Sequence, residues 1–186
     1  RLGARLRGEL ASQYQQAARR LILLDYDGTL RPFVSRPEDA GPDSAVLELL
    51  ARLGCDPRND LIIISGRNRG QLEGWLGALP LSLVAEHGAW IRPRGGAWET
   101  LAPLAADWKR EIRPLLESHT DHTPGSCIEE KDFSLVWHYR ACNPEQGALR
   151  ARELADALMH LTANLNLGVL RGSKVIEVKN LGINKG

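Results

Sequence analysis

Two aspartates one residue apart, Asp25 and Asp27, close an unbroken apolar run, Leu21-Ile22-Leu23-Leu24, and lead into Gly28-Thr29-Leu30. Carboxylates at the end of a buried segment are costly to desolvate unless they bind something. A carboxylate can attack phosphorus to give an aspartyl-phosphate, which makes Asp25 a candidate nucleophile. Asp27, just beyond it, would serve as general acid and then general base. A magnesium ion shared by Asp25 and Asp27 would hold both charges and neutralise phosphate oxygens. Turn chemistry is the competing reading, because Asp-Gly is a common hairpin signal. It accounts for Asp27-Gly28 and leaves Asp25 unexplained.

Further candidates stand at the ends of later apolar runs. Leu61-Ile62-Ile63-Ile64 ends in Ser65-Gly66-Arg67. The Ser65 hydroxyl and its neighbouring amides can donate to phosphate oxygens, or can cap a strand-to-helix turn. Arg67 either supplies further charge or is a solvated side chain. Leu81 to Ala85 ends in Glu86-His87-Gly88, where the histidine faces the site or satisfies a turn carbonyl. Near residue 186, Asn184 can cap a helix whose first turn carries Lys185. A lysine there opposes the helix dipole unless it faces an anion. Lys185 is therefore a candidate partner of Asp25 and the transferring phosphoryl, the alternative being a surface lysine.

The elements that position these residues follow a repeating pattern of apolar strand, polar tip and helix. Each run of four or five apolar residues is short for a helix and reads as a strand buried on both faces. Asp43 or Ser44 can cap a helix through Val46, Leu50 and Leu53, and Asn68 a helix through Leu72, Trp75 and Leu76. Residues 1–20 carry Leu2, Leu6, Leu10 and Tyr14 at helical spacing, as a packing helix or a connector. The segment from Arg31-Pro32 to Pro42 reads as a loop. Alternation of this kind implies a doubly wound α/β core with a parallel sheet, whose ligands sit at the strand tips.

After Pro103 the texture changes. A helix with Trp108, Ile112, Leu115 and Leu116 precedes strands at Cys127–Lys131 and Phe133–Arg140. Phe133, Leu135, Trp137 and Tyr139 alternate with Ser134, Val136 and His138, the pattern of a half-buried antiparallel strand. Pro144 opens a long helix, and strands at Leu167–Arg171 and Lys174–Val178 follow about Gly172-Ser173. The order helix-strand-strand-helix-strand-strand predicts an α+β cap inserted into the core. The expected division is core 1–103, cap 104–178, and a return to the core over 179–186.

Composition excludes several classes. Across 186 residues, 43% are hydrophobic, 25% are charged and the net charge is +1, which points to no nucleic-acid partner and no membrane surface. No apolar run approaches a membrane span, and no charged-then-apolar leader precedes the first strand. Cys55, Cys127 and Cys142 lack metal-ligand spacing and read as reduced thiols of a cytoplasmic protein.

The Asp25-Tyr26-Asp27-Gly28-Thr29-Leu30 string resembles the first motif of haloacid-dehalogenase-type phosphatases. Together with IIISGR, AEHGAW, IEEKDFSLVWHYR and KVIEVKNLGINKG, in this order, it is similar to the trehalose-6-phosphate phosphatase family, from about residue 14 to residue 186. The likeness is narrower still to the phosphatase half of fused trehalose-6-phosphate synthase/phosphatase chains. The resemblance implies a haloacid-dehalogenase-like core and magnesium-dependent hydrolysis of trehalose 6-phosphate. Asp25 would be the nucleophile and Asp27 the acid/base, with the Asp27 backbone carbonyl also on magnesium. Ser65 and Lys185 would contact phosphate. Glu129, Lys131 and Glu177 would hydrogen-bond the distal glucose, with Arg67 a further substrate contact. The alternative for Glu129 and Lys131 is a cross-strand ion pair on a solvated face. A phosphatase for another sugar phosphate such as sucrose 6-phosphate, a phosphotransferase, and a non-catalytic regulatory domain fused to a synthase are the rival readings. The superfamily also needs an acidic fourth motif downstream of its lysine. The sequence opens without methionine and stops at Gly186, so it reads as a fragment expected to bind magnesium poorly by itself.

Overall fold

The computed structural model describes residues 3–34, 37–100 and 106–182. Helix α1 (Ala4–Gln16) leads to strand β1 (Arg20–Asp25), helix α2 (Ser44–Cys55), strand β2 (Asn59–Ile64), helix α3 (Arg69–Leu76) and strand β3 (Ser82–Ala85). β1, β2 and β3 pair in parallel, in register from Arg20 opposite Asn59 to Asp25 opposite Ile64. The crossover helices start where short polar side chains satisfy their first amides. Asp43 accepts from Val46 N, and Asn68 accepts from Gln71 N at 2.8 Å. Tyr26, Leu50, Leu61, Ile63, Leu72, Leu76 and Leu83 form the apolar interior of this unit. Two short antiparallel strands, β4 (Trp90–Arg92) and β5 (Glu99–Thr100), extend the sheet beyond β3. Their brevity hid them from the sequence pattern.

The second unit contains helix α4 (Lys109–Asp121), strands β6 (Cys127–Glu130) and β7 (Ser134–His138), helix α5 (Pro144–Leu161) and strands β8 (Leu167–Gly172) and β9 (Val175–Asn180). Its antiparallel sheet runs β6-β7-β9-β8. Ile112 and Leu116 of α4 and Leu154 and Leu158 of α5 pack on Leu135, Trp137, Ile176 and Val178 of the sheet. The anticipated helix-strand-strand-helix-strand-strand order is the one observed.

Several expectations are corrected. Among the described residues β1 is not buried on both faces: Leu21 is 65% and Leu23 54% exposed. Among the described strands β1 is one edge of its sheet, and the face carrying Ile22 and Leu24 is the packed one. Strand β7 departs the other way. Ser134 and Val136 are buried along with Leu135 and Trp137, because the polar face of this sheet lies against the core. Helix α1 buries no residue; Leu6 and Leu10 are exposed, and Tyr14 meets the sheet through the guanidinium of Arg20 and the amide of Asn59. The expected loop at 31–42 contains one short 3₁₀ turn, Pro37–Ala40.

Asp27-Gly28 does not turn a hairpin. Thr29, Leu30 and Arg31 all donate their amides to the carbonyl of Tyr26, and Gly28 sits at φ 86°. A Cβ there would lie 2.9 Å from the ring of Phe33. Gly28→Ala is expected to lower folding stability by about 1–2 kcal/mol, the cost of a left-handed non-glycine residue. Denaturant midpoints of the two proteins measure it; an unchanged midpoint would contradict the strained turn.

Candidate active site

The parallel register fixes the first contacts. Asp25 lies opposite Ile64, so Ser65, the next residue along β2, flanks the end of β1. Ser65 is buried, its amide donates to Val84 O and its hydroxyl accepts from Arg67 N at 3.1 Å. The hydroxyl hydrogen can still donate toward the cleft, so turn-capping and phosphate contact are compatible roles here. The β3 tip is tied to the same turn, with Glu86 N donating to Arg67 O and His87 N to Ser65 O, each at 3.0 Å.

Arg67 is not a solvated side chain. Its Nε reaches Asp27 Oδ2 at 3.0 Å and its Nη2 reaches Asp27 Oδ1 at 2.8 Å, a forked pair that orients the carboxylate. The guanidinium lies over Trp75, 4.8 Å from the ring centroid, and Trp75 stacks on Tyr26. Tyr26 is fully buried and donates its hydroxyl to Ala40 O; burial pushes its phenol up to about 12. A rigid aromatic platform therefore holds Arg67, and Arg67 holds Asp27.

The polar face of the second sheet closes over these tips. In the pairing, Glu129 and Glu177 flank Val136 on adjacent strands. His138 Nε2 lies 2.8 Å from Glu129 Oε2. Burial works to raise the Glu129 pKa, but the His138 contact and the charge of Lys131 outweigh it and hold the carboxyl below its ordinary value. Lys131 Nζ donates to Gly66 O at 2.8 Å and lies 4.0 Å from Glu177 Oε1. On its other side Glu177 meets His87 Nε2 at 3.6 Å. Burial again opposes the charged form of Glu177, while His87 and Lys131 draw it down to about 2. Gly66 is required by this approach, since a Cβ there would stand 2.4 Å from His87 Nε2.

Seven of the predicted residues thus gather at one seam: Asp25, Asp27, Ser65, Arg67, Glu129, Lys131 and Glu177. Lys185, the eighth, lies outside the described residues. Sequence reasoning missed His138 as the partner of Glu129. The alternation that places His138 on the face of Ser134 and Val136 was visible, but its neighbour across the sheet required the β6–β7 register. The donor set suits a hard divalent cation in part. The Asp27 carboxylate is taken by Arg67, which leaves the Asp25 carboxylate and the Asp27 main-chain carbonyl as oxygen ligands. Among the described residues no three His, Cys, Asp or Glu side chains cluster as a metal site.

The family description trehalose-phosphatase matches residues 23–186. The chain belongs to the trehalose-phosphatase family. A bifunctional trehalose-6-phosphate synthase/phosphatase of Thermoproteus tenax is 42% identical across 96% of this chain. A trehalose-phosphatase of Schizosaccharomyces pombe is 42% identical across 94% of it. The chain spans only 24% and 22% of those two proteins. The C-terminal domain of Candida albicans trehalose-6-phosphate phosphatase superposes with a TM-score of 0.92 at 36% identity, covering 96% of this chain and 63% of that one. A haloacid dehalogenase-like hydrolase from Bacteroides thetaiotaomicron, 15% identical with a TM-score of 0.63, shares the fold. The core of this trehalose-phosphatase relative is therefore haloacid-dehalogenase-like, as its first motif implied.

Because Glu177 sits near 2 in the folded chain against an ordinary 4.5, its ionisation stabilises the fold fully above 4.5 and less as pH falls toward 2. The effect is on the order of 3 kcal/mol. Glu177→Gln is expected to flatten the loss of stability across that window, read from denaturation at a series of pH values. An identical slope in both proteins would contradict the ion contacts described.

Proposed function

We propose that this chain carries the site of a magnesium-dependent phosphatase that hydrolyses trehalose 6-phosphate to trehalose and inorganic phosphate. The observation that carries this reading is the juxtaposition of Asp25 and Asp27 at a strand tip with the Glu129–Lys131–Glu177 face of the second sheet. The first supplies a nucleophile and a proton carrier; the second supplies hydroxyl partners for a sugar. The family membership and the names of the relatives support the same substrate.

In the first step an Asp25 carboxylate oxygen attacks phosphorus, and the bond from phosphorus to the sugar oxygen breaks. Asp27, aimed by Arg67, gives that oxygen its proton. In the second step Asp27 takes a proton from water, and the resulting oxygen attacks the aspartyl-phosphate to release phosphate and restore Asp25. The Ser65 hydroxyl and nearby amides donate to the phosphoryl oxygens, and Lys185 belongs to the proposal as their cation. A magnesium ion held by Asp25 and the Asp27 carbonyl would offset the phosphate charge. Closure of the second sheet excludes water other than the attacking molecule and lets Glu129, Lys131 and Glu177 select the sugar.

A division into core, inserted cap and return to the core belongs to this reading, with the cap's last strand running to Asn180 rather than ending at the expected boundary of 178. A cytoplasmic setting for the free thiols Cys55, Cys127 and Cys142 belongs to it as well. Association with a synthase domain is proposed from the Thermoproteus tenax relative, whose name carries both activities. Among the described residues no helix is long and apolar enough to cross a membrane.

In the full-length protein, Asp25→Asn is expected to lower phosphate release from trehalose 6-phosphate by more than about a thousandfold. Chelation of divalent cations should stop wild-type turnover and added magnesium should restore it. Near-normal activity in the variant would remove Asp25 as nucleophile. Faster turnover of sucrose 6-phosphate than of trehalose 6-phosphate would reassign the substrate.

A further inference from the structure

Glu86 is a buried carboxylate with no part in the steps above. It is 4% exposed and stands at the tip of β3, beside the strand that leads into Ser65. Its backbone is left-handed, φ 47°, and so is that of His87, φ 58°. Two successive non-glycine residues in this region are unfavourable and persist where the surroundings demand them. Main-chain bonds to Arg67 O and Ser65 O hold the pair against the β2 tip.

The Glu86 side chain leaves the core and enters the second sheet. Oε1 accepts from Asp132 N at 3.2 Å and Oε2 from Phe133 N at 3.1 Å. These are consecutive amides of the turn between β6 and β7. The carbonyls of the same turn, at Lys131 and Asp132, accept from Lys109 Nζ. The turn is thus gripped from the cap by Lys109 and from the core by Glu86. Around this grip, Arg69 pairs with Asp132 at 3.0 Å and lies 3.9 Å over the ring of Trp90, which in turn packs on Phe133. Lys131, the residue just before the gripped amides, reaches Gly66 O. Glu86 and Glu177 also line one small cleft with Phe133, Ser134 and Lys179.

We infer that Glu86 is a positioning residue that seats the β6–β7 turn on the strand tips, and so sets Lys131 and Glu177 at the height where a sugar must meet them. A carboxylate suits the task because its two oxygens can serve two adjacent amides at once. Burial raises the pKa of Glu86 and the two amide bonds oppose that rise. The part of this inference that concerns sugar selection rests on the phosphatase reading above.

The test uses the full-length protein and two substrates, trehalose 6-phosphate and para-nitrophenyl phosphate, the second too small to need the cap. Glu86→Gln keeps one acceptor and turns an N–H₂ toward a second donor, while Glu86→Ala removes both acceptors. We expect kcat/KM for trehalose 6-phosphate to fall by about tenfold in the first and about a hundredfold in the second, chiefly through KM. Turnover of para-nitrophenyl phosphate should stay within about twofold, since Asp25 and Ser65 are untouched. Hydrogen exchange at Asp132 and Phe133 should accelerate in both variants. A parallel loss on both substrates, an unchanged KM, or unchanged exchange at those two amides would overturn the inference. Accelerated exchange in a protein whose wild type does not hydrolyse trehalose 6-phosphate would sustain the seat and defeat the phosphatase reading instead.

Discussion

Lys131 reaches across the seam between the two sheets to a main-chain carbonyl, and Glu177 reaches from the same sheet toward a histidine of the core. Neither charge can be withdrawn from water without a partner, because an isolated buried ion costs more than a small domain can offset. Lys131 and Glu177 partly compensate each other within the sheet, and Gly66 O and His87 of the opposite unit supply the remaining contacts, so the closed arrangement supports their desolvation. Gly66 takes part by having no side chain where the His87 ring must lie. Charge satisfaction at this seam, together with the packing of Trp90 on Phe133, aligns the cap with the strand tips.

The same logic runs beneath the cleft. Asp25 and Asp27 end a strand because three parallel strands deliver their C-terminal tips to one edge, where backbone amides and helix starts favour anions. Arg67 converts the Asp27 side chain from a flexible acid into an aimed one, and the Trp75–Tyr26 stack gives the guanidinium a fixed surface to lie over. The geometry around Asp27 is therefore built in layers, from apolar core to aromatic platform to arginine to carboxylate. Each layer restricts the next one outward, which is how a site of short polar side chains becomes rigid.

Helix starts at Asp43 and Asn68, the strands ending at Asp25 and Ile64, and the cap order were all legible as local patterns, because caps and periodicity act over a few residues. The pattern misled where burial depends on what lies on the far side. Leu21 and Leu23 read as interior, and among the described residues nothing covers their face of β1. Ser134 reads as solvent-facing and is enclosed, because the second face of its strand meets the core. Arg67, ambiguous in sequence, acquires its meaning only from residues 40 and 8 positions away, Asp27 and Trp75.

Residue types and short-range spacing alone determined the chemistry available to this chain: two acids after an apolar strand, a serine after the next, and acid and base residues along the cap strands. Those are properties of neighbours in the chain, governed by backbone sterics and side-chain alternation. Which groups meet was decided by tertiary structure, through strand register and the docking of one sheet on another. The Arg67–Asp27 fork, the Glu129–His138 contact and the grip of Glu86 on two amides 46 and 47 residues away exist only because distant segments are brought within 3.3 Å of each other. Hydrogen bonds act over such short distances that no one-dimensional pattern encodes them.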